Sequence, residues 1–187
     1  MQVGLNPEKL VFVDESGVKS NVTRLYGRAL RGVRLIDRIP HGHWVNTTLV
    51  CTLRKSGMTA AEVLHGAMNK MRLEAYVRDV LCPTLQEGDI VVWDNLPAHK
   101  SRVAKELIEA KGATLLPLPP YSPDLNPIEM SFSKLKSVLR KELFGRSTGC
   151  PKIRDFGILR EFLRNSPKPF SQNECKNYFK HAGYCPN

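Results

Sequence analysis

The 187-residue sequence predicts an α/β fold, and three observations carry the prediction. LVFVD (10–14) and IVVWD (90–94) are almost wholly apolar and β-branched, the pattern of interior strands covered on both faces. Three longer stretches repeat apolar residues at helical spacing. After Gly145 the composition shifts to a linker, GRSTGCPK, followed by two shorter helical patterns. The expected division is one main domain over 1–145 and a small C-terminal helical appendage over 146–187, packed on the core.

Taken in order, the first buried-type strand ends in Asp14. RLYGRALRG (24–32) and WVNTTLVCTL (44–53) are β-rich and glycine-bounded, as antiparallel strands are. Leu73, Tyr76, Val77, Val80 and Leu81 make one helical face, which Pro83 ends or kinks. The second buried-type strand ends in Asp94, and Val103, Ala104, Leu107 and Ile108 form a helix closed by Gly112. TLLPL (114–118) is a short strand whose prolines suit the end or edge of a sheet. Ile128, Phe132, Leu135, Leu139 and Leu143 mark the third helix, with Asn126 as N-cap, Pro127 in the first turn and Glu129 placed to close a capping box. Ile153, Phe156, Leu159 and Leu163 define a further helix. The last starts at Ser171, where Ser171 and Glu174 have capping-box spacing, and turns Cys175, Tyr178, Phe179 and Ala182 inward.

Lys and Arg number 28 against 18 Asp and Glu, a formal charge of +10 and a pI near 9.6. That balance favours a polyanionic partner, nucleic acid first, with solubility as the plainer reading. No apolar run approaches the ~18 residues that span a bilayer, and the N-terminus lacks the layout of a signal peptide, so a cytosolic protein is expected. Five scattered cysteines without a CxxC pair indicate neither a disulfide framework nor a zinc ribbon. HGHW (41–44) reads as a loop entering a strand rather than a zinc site.

The chemistry lies in three carboxylates from three elements: Asp14, Asp94 and Glu129. Each alone has a local role, as turn former or helix cap. If the two strands are neighbours, both aspartates emerge in one region and the helix beside them brings the glutamate. Three convergent carboxylates repel unless a cation neutralises them, and oxygen donors suit Mg²⁺ or Mn²⁺. Such sites hold two metals ~4 Å apart that clamp the attacking and leaving oxygens of a phosphodiester.

VFVDES, VVWDNLPAH and LPPYSPDLNPIEMSFSKLK resemble the three signature blocks of the transposases of mariner-related bacterial insertion sequences, within the DDE transposase and retroviral-integrase superfamily. The spacing of the second and third acidic residues is typical of that group, and the resemblance runs from about residue 9 to the C-terminus. It implies a ribonuclease H-like fold, a mixed five-stranded sheet flanked by helices. It also implies Asp14, Asp94 and Glu129 as metal ligands for Mg²⁺, with Mn²⁺ as substitute and two ions. The implied activity is nicking of a transposon end followed by attack of the freed 3′-hydroxyl on target DNA. DNA is the implied partner, at the nucleoid in the cytoplasm, and pairing of two ends implies a homodimer. Relatives carry helix-turn-helix modules upstream of the first catalytic strand. The expectation here is a DNA-binding half joined by frameshifting, a truncated copy or an excised domain.

Around the triad, Glu15 points to the opposite face from Asp14 and is a poor co-ligand. Asp124, Asn95 and Asn126 read as turn formers, and His99 either contacts substrate or fixes its loop. Ser133, Lys136 and Arg140 follow Glu129 along one helix side; Lys134 and Lys141 lie nearby, as do Lys100 and Arg102 after Asp94. Together these basic residues are candidates for phosphate contact. Two other readings stand beside the transposase: a remnant that binds DNA without cutting, and a general nuclease of the same fold.

Overall fold

The two apolar runs lie side by side at the centre of one sheet. The structure is a computed structural model and describes residues 4–19, 27–36, 46–94, 101–143, 156–165 and 170–185. Strands β1 (Leu10–Lys19), β2 (Asn46–Arg54), β3 (Gly57–His65), β4 (Ile90–Trp93) and β5 (Thr114–Pro117) are ordered β3-β2-β1-β4-β5. β1 runs antiparallel to β2 and parallel to β4, which is parallel in turn to β5, so the sheet is mixed as expected. The one proline of β5, Pro117, falls on an edge strand, where a missing N–H costs no ladder bond.

Side-chain alternation along β1 and β4 sorts the core into two layers. Leu10 and Phe12 share one apolar cluster with Val92, Ile128, Phe132, Leu135, Leu139, Leu163, Cys175 and Phe179. Val11 and Val13 share the other with Val91, Trp93, Leu73, Tyr76, Val77, Ala104 and Ile108. The first face is therefore covered by α3 (Ile128–Leu143), α4 (Phe156–Asn165) and α5 (Gln172–His181). The second is covered by α1 (Lys70–Tyr76) and α2 (Arg102–Glu109). Burial on both faces explains why these two runs are apolar without alternation.

The helices follow their sequence signals. Asn69 caps α1 by accepting from the Arg72 N–H, and the chain continues as a wider π turn over Val77–Leu81 before Pro83 diverts it. Ser101 caps α2, and Gly112, at φ +72°, ends it in a conformation that suits glycine. The Ser171–Glu174 capping box is present in both halves.

The region after α3 does more than pack as an outer layer. Phe12 of β1 meets Phe179 edge-on at 5.3 Å and Tyr184 at 4.9 Å, and the Tyr184 hydroxyl donates to the Leu125 carbonyl at 2.8 Å. α4 is tied to the β3 edge, where Glu62 accepts from Arg160 and Arg164. The linker from 146 to 155, with Cys150 and Ile153, lies outside the described residues.

Two strand expectations differ from the structure. Residues 27–36 form turns and irregular chain, not a strand, and 20–26 lie outside the described residues. Four arginines and three glycine or alanine breaks in 24–34 leave no run that a sheet could bury. The partner of β2 is instead β3, GMTAAEVLH, an edge strand with partial burial and a bulge opposite Val50–Thr52. HGHW also lies outside the described residues, and β2 begins after it. Behind the sheet ends, Arg54 reaches Asp89 at 2.7 Å and the Thr84 carbonyl at 3.0 Å. Burial pushes the Asp89 carboxyl up, but Arg54 and the Gln86 N–H outweigh it and hold it below its ordinary value. Among the described residues no helix is long and apolar enough to cross a membrane.

Candidate active site

β1 and β4 pair in parallel only as far as Phe12 and Val92. Two residues further along each strand stand Asp14 and Asp94, in the same register and on the side-chain parity of Phe12 and Val92. That parity faces α3, whose first turn carries the exposed Glu129. The strands thus turn two carboxylates towards the helix that bears the third. Glu15, one residue on, has the opposite parity, as expected.

A short, constrained path delivers Glu129. The Leu118 N–H bonds the Trp93 carbonyl at 2.8 Å, which fastens the start of the proline-rich segment to the end of β4. Pro123–Leu125 form a single 3-10 turn, in which Asp124 acts as the turn former expected of it. The Glu129 N–H then reaches the Asn126 carbonyl at 3.3 Å.

Asn126 departs from expectation. Its side chain does not cap α3: Oδ1 is buried with no hydrogen-bond partner among the described residues, and the backbone N–H donates to the Pro123 carbonyl at 2.9 Å. Instead Nδ2 donates to Asp14 Oδ2 at 2.8 Å. The residue before proline is held extended, here at φ −110° and ψ 94°, and the side chain is directed to the sheet rather than to the helix N–H groups. Composition marks Asn126 only as a good cap; the contact spans distant parts of the chain, and nothing local signals it.

Asp14 is only 8% exposed. Its Oδ1 accepts from the Glu15 N–H at 2.7 Å and its Oδ2 from Asn126. Burial pushes its carboxyl up to about 7 against the lowering effect of that N–H, and the negative charges of Glu129, Asp94 and Glu15 add to the rise. Across the ladder, Cys51 is fully buried, and burial beside the Asp14 charge drives its thiol well up, so it stays neutral at neutral pH.

This donor set fits a hard divalent cation. Its oxygens are carboxylate only, each Asp14 oxygen has a lone pair beyond its one hydrogen bond, and the mutual repulsion is what a cation relieves. Among the described residues no three acidic, histidine or cysteine side chains already stand at ligating distance, so the trio is open rather than a closed cage.

The basic candidates are placed unequally. Lys134 is ion-paired with Glu174 of α5 and lies over the Phe170 ring at 5.0 Å, so its ammonium is engaged inside the helical layer. Lys136 is half-buried and Lys141 exposed, both on α3; the Arg140 side chain is outside the description. Arg102 is exposed at the start of α2, paired with Glu106 at 2.7 Å, on the face opposite α3. Asn95, His99 and Lys100 lie outside the described residues.

A five-stranded mixed sheet with two aspartates just past the end of the parallel β1–β4 pairing, and a glutamate on the flanking helix, defines a ribonuclease H-like protein of the acidic-triad class. Within that class the chain belongs to the DDE superfamily endonuclease family, which its residues 9–148 match. The same fold occurs in the Mos1 strand transfer complex, at TM-score 0.72 and 18% identity over 94% of this chain and 51% of that one. It occurs too in the Mos1 mariner paired end complex with Mn, at 0.75 and 18% over 95% and 53%. The Mos1 transposase catalytic domain bound to raltegravir with Mg gives 0.65 and 17% over 95% and 79%. The chain spans about half the length of the transposases in those DNA complexes. No functionally curated protein matches it in sequence.

Proposed function

We propose that the chain is the catalytic domain of a DNA transposase, cutting at transposon ends and joining the freed end to target DNA. The observation that carries the reading is the convergence of Asp14 and Asp94, from in-register parallel strands, on the face where α3 brings Glu129. Asp14, Asp94 and Glu129 hold divalent cations, two Mg²⁺ replaceable by Mn²⁺. Bound there, the cations stabilise the charge that develops on attacking and leaving oxygens.

In the first step water oxygen attacks phosphorus, the bond to the 3′-oxygen breaks, and a 3′-hydroxyl and a 5′-phosphate result. In the second that 3′-hydroxyl attacks a target phosphodiester and displaces the target's own 3′-oxygen. One phosphodiester forms as one breaks, so no energy source is needed. The protein's part is to hold the reacting strands in line, and effective concentration supplies much of the acceleration. Lys136, Arg140 and Lys141 along α3, with Lys100 and Arg102 beyond β4, contact backbone phosphates, and Asn95 and His99 order the loop after Asp94. Lys134 is left out because Glu174 already neutralises it. The full assembly pairs two ends in a homodimer at the nucleoid.

Cleavage and joining with a precut end and a supercoiled target test this, for the chain alone and fused to a candidate upstream frame. Both reactions require Mg²⁺ or Mn²⁺, and Glu129→Gln abolishes them while leaving the melting temperature nearly unchanged, because the side chain is exposed. Activity in EDTA, or in the Gln variant, would sink the assignment.

A further inference from the structure

Asn126 is 94% buried with one half of its amide engaged and the other empty-handed: Nδ2 bonds Asp14 at 2.8 Å, while Oδ1 has no partner among the described residues. A buried amide oxygen without a hydrogen bond costs about 1–3 kcal/mol, so its persistence calls for an explanation. Packing does not supply one, since a leucine would fill the same volume without a polar atom. Helix capping does not either, because the α3 N–H groups are not its partners. The two amide atoms share one planar group about 2 Å across, which keeps Oδ1 within roughly 5 Å of the Asp14 carboxylate. An acceptor thus stands unfilled beside the most buried member of the acidic trio.

We propose that Asn126 is a positioning residue of the cation site: Nδ2 fixes the Asp14 carboxylate, and Oδ1 accepts a hydrogen bond from the water shell of the bound divalent cation. Mg²⁺ sheds water reluctantly and keeps several waters when bound by few carboxylates, so a site of this kind needs fixed acceptors outside the ligands themselves. The rigid approach explains why the residue sits where it does. Pro123 and Pro127 flank it, its backbone N–H is tied to Pro123, and its carbonyl receives the Glu129 N–H, so one residue is bonded both to the Asp14 side chain and to the Glu129 backbone. Asn126 sets the distance between two of the three ligands. The proposal rests on the metal-dependent reading above.

Mn²⁺ titration of the folded protein by calorimetry, without DNA, separates the two. Asn126→Leu is isosteric and can neither donate nor accept. It retains a cooperative urea transition in EDTA but binds Mn²⁺ at least tenfold more weakly, the range seen when an outer-shell partner is lost. Asn126→Ala repeats the measurement with a smaller side chain. In end cleavage, the Leu variant needs at least tenfold more Mg²⁺ for half-maximal rate, and its rate at saturating Mg²⁺ falls far less. A purely structural role would depress the rate equally at every Mg²⁺ concentration. Wild-type affinity in a folded Leu variant overturns the proposal, as does loss of the cooperative transition in both variants, which makes the side chain structural. If wild type and Asp14→Asn bind Mn²⁺ equally, or neither binds, the metal reading itself fails and Asn126 falls with it.

Discussion

Replacing Asp14 by asparagine is expected to stabilise the metal-free protein at pH 8 by an amount that disappears on acidification. In the folded chain the Asp14 carboxyl is raised from 3.8 to about 7, chiefly by burial. A carboxyl with a raised folded value keeps a proton that the unfolded chain has lost, so the contribution of Asp14 to stability is fully present below pH 4 and is lost as pH rises through 7. A shift of about three units corresponds to roughly 4 kcal/mol of penalty at pH 8, an upper bound because the local structure relaxes. Asparagine stays neutral and carries none of it. It can also keep both hydrogen bonds: its oxygen accepts from the Glu15 N–H, and a flipped Asn126 amide turns the unpaired Oδ1 to meet the new NH₂. Urea unfolding in EDTA, followed through the buried Trp93, gives the difference at pH 4, 6 and 8. A gain of about 1–4 kcal/mol at pH 8 that shrinks to near zero at pH 4 is expected. Adding Mg²⁺ at pH 8 should stabilise the wild type and leave the variant unmoved. A difference that does not change with pH, or a less stable variant at pH 8, would refute the electrostatic account.

Other outcomes follow from the packing and the charges. Arg54→Met strands the 99%-buried Asp89 carboxylate and is expected to cost about 3–5 kcal/mol in urea unfolding, with much of the loss recovered when Asp89 is also made apolar. Phe179→Ala, which empties the edge-on contact with Phe12, is expected to cost about 3–5 kcal/mol in one cooperative transition; two separate transitions would show that α5 folds apart from the sheet. DNA affinity is expected to fall steeply with salt. Lys136→Ala and Lys141→Ala each lower the slope of log affinity against log salt by about one, whereas Lys134→Ala leaves it unchanged, since Lys134 is paired with Glu174.

The central strands, three main helices and both C-terminal helices were legible because burial on two faces and helical periodicity leave strong marks on composition. β3 was not: GMTAAEVLH is an edge strand whose half-buried positions hold alanine, glutamate and threonine, and propensity says little there. The strand expected over 24–32 had two leucines and one tyrosine between glycines but no apolar face to bury. At the site, Asp94 and Glu129 could be found from where they stand at the ends of elements; Asp14 is marked only by the end of the apolar run, for β1 continues past it to Lys19, and the parity that unites the two aspartates follows from strand alternation. The Asn126 contact could not be found that way. Capping and tertiary bonding draw on the same residue type before a proline, and only the folded path decides between them. The basic residues show the same limit in reverse: Lys134 looks like its neighbours in sequence, yet Glu174 from a distant helix claims its charge.

The hydrogen bond from Asn126 to Asp14 closes a loop of 112 residues, and the acidic trio depends on both ends of it. Contacts of such long sequence separation are made late, after the entropy of closing the loop has been met. A nascent or partly unfolded chain therefore cannot gather its carboxylates until α3 has docked on a finished sheet. On the proposed function, cutting competence becomes a report on complete folding, and a cell that makes this protein meets that chemistry only from molecules that have passed the check.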